Sequence, residues 1–230
     1  MHLPFEQFPT LSTIKICRHV FAQRIPGIDV SHDKAEVLER LDAAHREIRN
    51  LTGFGEWPLF TAEQIHGNKN AIVDRTVASA VLSGVDGREF PGCDGILTNQ
   101  RGVALGIYVA DCCAVYIVDP KTPAIGLVHS GRKGTELGVV TNAIRQMIER
   151  FGSAPANMIV QLSPCIRPPH YEVDIASEIV RQCRALGIQH IHDPGTCTAC
   201  DLGRYYSYRA EKGKTGRMLA VLGLDLTIAN

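Results

Sequence analysis

The feature that most constrains this chain is the run from Val103 to Gly134, VALGIYVADCCAVYIVDPKTPAIGLVHSGRKG. β-Branched, aromatic and other apolar residues fill it almost without a break, and such residues suit a pleated surface buried on both faces. The interruption Asp119-Pro120-Lys121-Thr122-Pro123 is turn chemistry, because proline fixes φ and removes a backbone donor. Two central strands are therefore expected, Val103 to Asp119 and Ala124 to His129, folded back on each other. Inside this apolar frame stand Asp111-Cys112-Cys113 and, at the far end, His129. Buried polar groups carry a desolvation cost and need a compensating role. Two readings are open: small core thiols with a hydrogen-bonded strand-end histidine, or a site.

Other β-rich runs are Ile14 to Ala22, Leu59 to Ile65, Asn70 to Asp74, Ile96 to Thr98, Met158 to Leu162 and Gly187 to His192. Three segments have helical periodicity. One runs from an N-cap at Ser31 to about Asn50, with Ala35, Leu38, Leu41, Ala44 and Ile48 on one face. A second covers Thr135 to Phe151 and is closed by Gly152. The third opens at Asp174 and carries Ile175, Ile179, Cys183 and Leu186 as far as Gly187. Each helix has a single apolar stripe and needs a flat partner. Strands come in groups with single helices between them, which predicts an α+β layered domain with a mixed β-sheet and helices on its outer surface. Gly84 to Gly95 and Ser163 to Pro169 read as loops. No linker, charge block or repeat divides the 230 residues, so one domain over residues 1–230 is expected.

Lys+Arg and Asp+Glu are both 24, giving zero net charge. Such a balance supplies no overall basic field for nucleic acid or an acidic membrane surface. No apolar run approaches the ~18 residues that span a bilayer, and the N-terminus lacks a signal pattern. The eight cysteines form no compact framework and are read as reduced. A cytoplasmic location is the expectation.

Local chemistry is suggested at two places. Ser130-Gly131-Arg132-Lys133-Gly134 joins a strand to a helix and gathers backbone N–H groups, a helix dipole and two cations, an arrangement suited to phosphate or carboxylate. Glu63-Gln64-Ile65-His66-Gly67 ends a β-run, and Gly67-Asn68-Lys69 reads as a hairpin turn with His66 at its rim.

The segments QIHG (Gln64 to Gly67), CDGILT (Cys93 to Thr98), ADCC (Ala110 to Cys113), HSGRKG (His129 to Gly134), SPCIRPPHYEVD (Ser163 to Asp174), YYSYR (Tyr205 to Arg209) and TGRM (Thr215 to Met218) follow the order found in the YfiH-like, or laccase-domain, proteins, also called polyphenol oxidase family proteins. From Ile14 to Leu222 the chain resembles that family. The resemblance implies a metal, generally zinc, held by His66, Cys112 and His129. Two imidazoles and one thiolate leave a fourth tetrahedral position for water or substrate. In an extended strand Cys112 and Cys113 point to opposite faces, so only one joins the cluster, and the motif assigns Cys112. Copper suits the donor set less well, since a multicopper oxidase needs further paired histidines and the one His-x-His is His190-Ile191-His192.

The resemblance also implies purine nucleoside phosphorylase activity on adenosine, inosine and methylthioadenosine, with adenosine deamination. The partners are then a small-molecule nucleoside and phosphate. Phosphate would sit on the Ser130 to Gly134 turn, with Ser130 and Gly131 binding it and Arg132 and Lys133 neutralising its charge. Asp94, Asp111 and Glu172 are the candidate proton carriers, and Gln64, Cys165 and Arg209 the candidate substrate contacts. The turn departs from the family's usual HAGWRG by placing Arg132 at the tryptophan and Lys133 at the arginine, which removes an indole surface and a bidentate fork. Two other functions stay open, the first with a substrate class that the resemblance implies. In a Cys–His hydrolase acting on cell-wall precursors, Cys112 is the nucleophile and His129 its base; alternatively the altered turn leaves a non-catalytic nucleoside- or phosphate-binding module. Cys197-Thr198-Ala199-Cys200 is a C-x-x-C without a second pair, Cys183 is a packing residue, and Tyr205, Tyr206 and Tyr208 are read as core or stacking residues.

Overall fold

The structure, a computed structural model, describes residues 3–82 and 88–226. Its strands are β1 (Phe5–Glu6), β2 (Cys17–Ala22), β3 (Leu59–Ala62), β4 (Asn70–Val73), β5 (Glu89–Phe90), β6 (Gly95–Thr98), β7 (Ala104–Val109), β8 (Cys113–Asp119), β9 (Ala124–Ser130), β10 (Ile159–Leu162), β11 (His190–His192) and β12 (Met218–Leu224). The helices are α1 (Pro9–Ser12), α2 (Lys34–Leu51), α3 (Arg75–Leu82), α4 (Arg132–Glu136), α5 (Val139–Phe151) and α6 (Ile175–Ala185).

The α+β class holds, but the strands form two six-stranded sheets in place of one. The first has the order β1-β2-β12-β7-β3-β5 and the second β11-β10-β8-β9-β6-β4. Both are mixed: β3 runs parallel to β7, β4 to β6 and β10 to β11, while β12 with β7 and β8 with β9 are antiparallel. The β8–β9 hairpin closes at Asp119 opposite Ala124, as the two prolines require. Asp119 accepts from the backbone N–H groups of Lys121 and Thr122 and so braces the turn.

Alternation along β8 separates two cores. Ala114, Tyr116 and Val118 join Val20, Leu105, Ile107 and Val221 of the first sheet. Cys113, Val115 and Ile117 face the helices and pack with Val140, Ile144, Met147, Ile179 and Cys183. α2 lies on the first sheet, with the His45 ring 5.8 Å from that of Tyr108. Both faces of the second sheet are thus covered, which is why β8 and β9 are buried throughout.

Several expectations need correction. The Val103 to Asp119 run is not one strand. The chain leaves the first sheet after Val109 and enters the second at Cys113, and Asp111 in between has φ 80°. Gly67 to Lys69 is not a hairpin turn either, because β3 belongs to the first sheet and β4 to the second. The helix after His129 is broken into α4 and α5 by Gly138 at φ 74°, a left-handed conformation that suits glycine. α2 is capped by Asp33, whose carboxylate accepts from Glu36 N–H at 3.0 Å, rather than by Ser31. Asp174 does cap α6, accepting from Ser177 N–H at 2.9 Å, a contact worth about 1 kcal/mol. Ser163 to Pro169 is irregular as expected, and of the loop Gly84 to Gly95 the residues 84–87 lie outside the described residues.

Candidate metal centre

His66, Cys112 and His129 converge, although they sit on three segments. Each offers one ligand atom, and these atoms lie within 4.8 Å of one another. Cys112 Sγ is 3.8 Å from His66 Nε2, and the two imidazole rings meet edge to face at 4.8 Å. A tetrahedral ion at ~2.0–2.3 Å from N and S donors sets ligand atoms about 3.3–3.8 Å apart, the separation that Cys112 Sγ and His66 Nε2 already show. Among the described residues this is the one such group of three or more potential ligands.

The chain folds this way because three unusual backbone positions are each held by hydrogen bonds to residues distant in sequence. Gln64, His66 and Asp111 all have left-handed φ, 63°, 60° and 80°, which costs of order 1–3 kcal/mol for a residue with a side chain. Gln64 offsets this by copying a strand: its side-chain Oε1 accepts from Tyr108 N–H at 2.9 Å and its Nε2 donates to Tyr108 C=O at 2.5 Å. His66 donates its backbone N–H to Asp94 Oδ1 at 2.8 Å, and Gly67 donates to Oδ2 at 2.7 Å. Asp111 accepts from Thr198 Oγ1 and from Arg209 N–H, both at 2.7 Å, and its carbonyl accepts from Ile166 N–H at 2.8 Å.

Asp94 is completely buried and orients the second histidine. Its Oδ1 lies 2.9 Å from His129 Nδ1, which leaves Nε2 as the ligand atom. A carboxylate behind a ligating imidazole fixes the tautomer and raises basicity. Burial alone would raise the Asp94 pKa, but the hydrogen bonds from His129 and the Gly67 N–H outweigh it and hold the carboxyl below its ordinary range. Burial likewise opposes charge on Cys112 and His129, yet each is the other's counter-ion. The thiol is drawn down to about 6 by His129 and His66, and the imidazole is pushed up to about 9 by Cys112 and Asp94. A thiolate is therefore available at neutral pH, the form a metal requires.

Gly131 completes the cradle. A Cβ there would lie 2.7 Å from Cys112 Sγ and 3.1 Å from His66 Cδ2, so only glycine lets the turn pass this close. The donor set, the carboxylate behind His129 and this close approach together fit a metal ion.

A cavity of about 560 Å³ opens over the cluster, lined by Gln64, Tyr108, Asp111, Tyr171 and Tyr208 besides the ligands, with Lys34, Arg132, Arg209 and Arg217 supplying cations. The structure brings Gln64, Asp111, Arg132 and Arg209 to this cavity and leaves other expected residues out of its lining. Lys133 is exposed on α4 and does not line it. Ser130 is buried and its hydroxyl is bonded to Thr135 Oγ1 at 2.8 Å. Cys165 is fully buried in the helix-side core, its thiol pushed up by Cys113 and by burial, so it is a packing thiol. Glu172 sits outside the lining in ion pairs with Arg132 at 3.1 Å and Arg209 at 3.4 Å, and Asp94 acts behind His129 rather than in the cavity. The Cys112–Cys113 division stands for a different reason from strand alternation: Cys112 lies in the crossing between sheets, and Cys113 begins β8. All eight cysteines are free; Tyr205 and Tyr206 are buried, and Tyr208 is exposed. Arg217, Tyr108 and Lys34 were missed as site residues; for Arg217 the signal was its place in the TGRM segment.

Comparison with known proteins agrees with this architecture. The family model described as multi-copper polyphenol oxidoreductase laccase matches residues 18–182 and 173–225. The chain is 27% identical to purine nucleoside phosphorylase YlmD of Geobacillus stearothermophilus, over 88% of this chain and 84% of that protein. It is 31% identical to a purine nucleoside phosphorylase of Corynebacterium glutamicum, over 90% of this chain and 94% of that one. The crystal structure of the Geobacillus protein superposes with a TM-score of 0.80 at 22% identity, covering 97% of this chain and 100% of that chain. No helix among the described residues is long and apolar enough to cross a membrane.

Proposed function

This chain belongs to the family described as multi-copper polyphenol oxidoreductase laccase, and from that premise we propose that it is a zinc-dependent purine nucleoside phosphorylase acting on adenosine, inosine and methylthioadenosine. The observation that carries the reading is the His66–Cys112–His129 cluster at the floor of a cationic cavity, in a chain whose relatives bear that activity in their names. Three N/S donors with one direction open suit a single catalytic zinc better than a multinuclear copper centre. Bound there, zinc supplies a Lewis acid that steadies negative charge on an oxygen.

The chain's own residues do the rest. In phosphorolysis an oxygen of hydrogen phosphate bonds to the ribose C1′ while the C1′–N bond breaks. The bonding pair leaves with the purine, which takes up the phosphate's proton. Cations along the cavity hold the phosphate against the sugar and offset its charge. Tyr108, Tyr171 and Tyr208 offer ring surface for the purine. Asp94 keeps His129 in one tautomer, and Asp111 is the carboxylate within the cavity. Adenosine deamination at the same site would need a proton carrier for attacking water, and Asp111 is the carboxylate among the described lining residues. Zinc-loaded protein is expected to release purine from adenosine and inosine only when phosphate is present. Absence of product from zinc-loaded protein, read by chromatography, would remove this reading.

One observation favours a second reading. Cys112, His129 and Asp94 are arranged as nucleophile, base and orienting carboxylate, the plan of a cysteine hydrolase. Activity that survives chelation and is abolished by iodoacetamide would select it.

A further inference from the structure

The four cations around the cavity are not equivalent. Arg132 is engaged by Glu136 at 3.0 Å and Glu172 at 3.1 Å, and Arg209 shares Glu172 while lying 4.7 Å over the Tyr171 ring. These two guanidinium groups are roughly half exposed and already neutralised by carboxylates. Lys34 is exposed at the start of α2 and donates to Glu63 C=O at 3.3 Å. Arg217, whose guanidinium lies 5.8 Å from the Tyr208 ring centroid, differs from all three in its hydrogen bonding. It is half-buried, and its Nη1 donates to Thr215 C=O and Gly216 C=O, both at 2.9 Å. Among the described residues no carboxylate pairs with it, and Nε and Nη2 are left without a hydrogen-bond acceptor. Asp111, the one carboxylate that lines the cavity among the described residues, is already bound to Thr198 and to the Arg209 N–H.

Its position follows from the sheet. Arg217 immediately precedes β12, and Met218 pairs with Val109, so the guanidinium stands beside the Ala110–Cys112 crossing that delivers the thiolate ligand. Two carbonyls fix the plane of the group before any ligand arrives. Partial burial of a cation without a carboxylate in contact is unfavourable, and Arg217 lines the cavity, with Asp111 and Cys112 its acidic neighbours at longer range. A guanidinium with a fixed plane and two free N–H directions is a bidentate receptor for an oxyanion.

We propose that Arg217, and not the Ser130 to Gly134 turn, is the residue that grips the phosphate co-substrate. Arg132 and Arg209, tied to Glu172, form the rim. The inference rests on the phosphorolysis reading for the identity of the anion, but its test does not depend on turnover.

The experiment is a calorimetric titration of zinc-loaded protein with inorganic phosphate in the absence of nucleoside, using wild type, Arg217→Lys, Arg217→Met and Lys133→Met. Lysine keeps the charge and loses the fork, so Arg217→Lys is expected to weaken phosphate binding about tenfold and Arg217→Met about a hundredfold. Lys133→Met is expected to leave it unchanged. In phosphorolysis the KM for phosphate rises in the Arg217 variants while the KM for nucleoside stays constant. Zinc content and melting temperature identify a variant that has misfolded, and Arg217→Lys, which retains a donor for the two carbonyls, then decides the matter. Wild-type affinity in both Arg217 variants overturns the proposal, as does loss of binding in Lys133→Met alone or a wild type that binds no phosphate. Arg217-dependent phosphate binding without phosphorolysis would leave this inference standing and remove the phosphorylase reading. Phosphate-dependent turnover indifferent to Arg217 would do the reverse.

Discussion

His19 and His129 are both buried histidines on central strands of this fold, and they behave in opposite ways. His19 Nε2 accepts the Phe8 N–H at 2.7 Å in an otherwise apolar setting beside the rings of Phe8 and Tyr116. Burial holds its pKa down to about 4. His129 has the Asp94 carboxylate on one nitrogen and the Cys112 thiol near the other, and is pushed up to about 9 despite equal burial. Depth is the same; the partners differ. A neutral imidazole that accepts one backbone N–H is a structural plug, whereas one placed between two anionic groups is ready to lie beside a cation.

The largest effect expected from breaking this contrast comes from removing the ligands. His129→Ala or Cys112→Ala should abolish stoichiometric zinc by metal analysis and with it phosphorolysis, a loss exceeding the roughly 10–100-fold brought by removing an outer-shell partner. Asp94→Asn leaves all three donors in place but weakens the hold on Nδ1 and on the His66 and Gly67 N–H groups. It should cost about 10–100-fold in zinc affinity, measured by competition with a chelator. On the other side of the comparison, His19→Leu should leave zinc content at wild-type level and strand the buried Phe8 N–H. The expected loss of stability is about 1–3 kcal/mol by denaturant unfolding.

The smallest effect is a pH dependence. His19 titrates near 6.5 when unfolded and near 4 when folded, so below 6.5 the unfolded chain binds the extra proton. Stability should fall as pH drops from about 6.5 to about 4, and the His19→Leu variant should show a shallower slope over that window. His45, also held down to about 4 by burial, accounts for slope that remains. A variant slope equal to the wild type's would show that His19 is not a proton-linked plug.

Much of this was legible in the sequence, for reasons that can be named. The β8–β9 hairpin is announced by Asp119-Pro120 and Pro123, and Gly152 and Asp174 mark helix ends by cap chemistry that needs no tertiary partner. The sheet change at Ala110–Cys112 was hidden because apolar residues continue on both sides and every face is buried, so no alternation breaks there. The left-handed turns at Gln64, His66 and Asp111 carry neither glycine nor asparagine; what holds them is Tyr108, Asp94 and Thr198, all distant in sequence. The ligand set came from family motifs and not from spacing. The sequence places Asp94 among the proton carriers, because nothing in CDGILT shows that its carboxylate faces His129. Ser130 and Lys133 stand outside the cavity lining for a related reason: a strand-to-helix turn reads as open, yet here its hydroxyl is buried against Thr135 and its exposed lysine is not among the lining residues.

The routes by which the ligands reach the centre have a consequence for assembly. His66 lies where the chain passes from the first sheet to the second, Cys112 lies at a second such passage, and His129 is carried by β9 of the second sheet. Neither sheet alone contains the trio. A metal ion held by all three would therefore tie the two sheets to each other, so that its binding and the contact between the sheets stabilise one another.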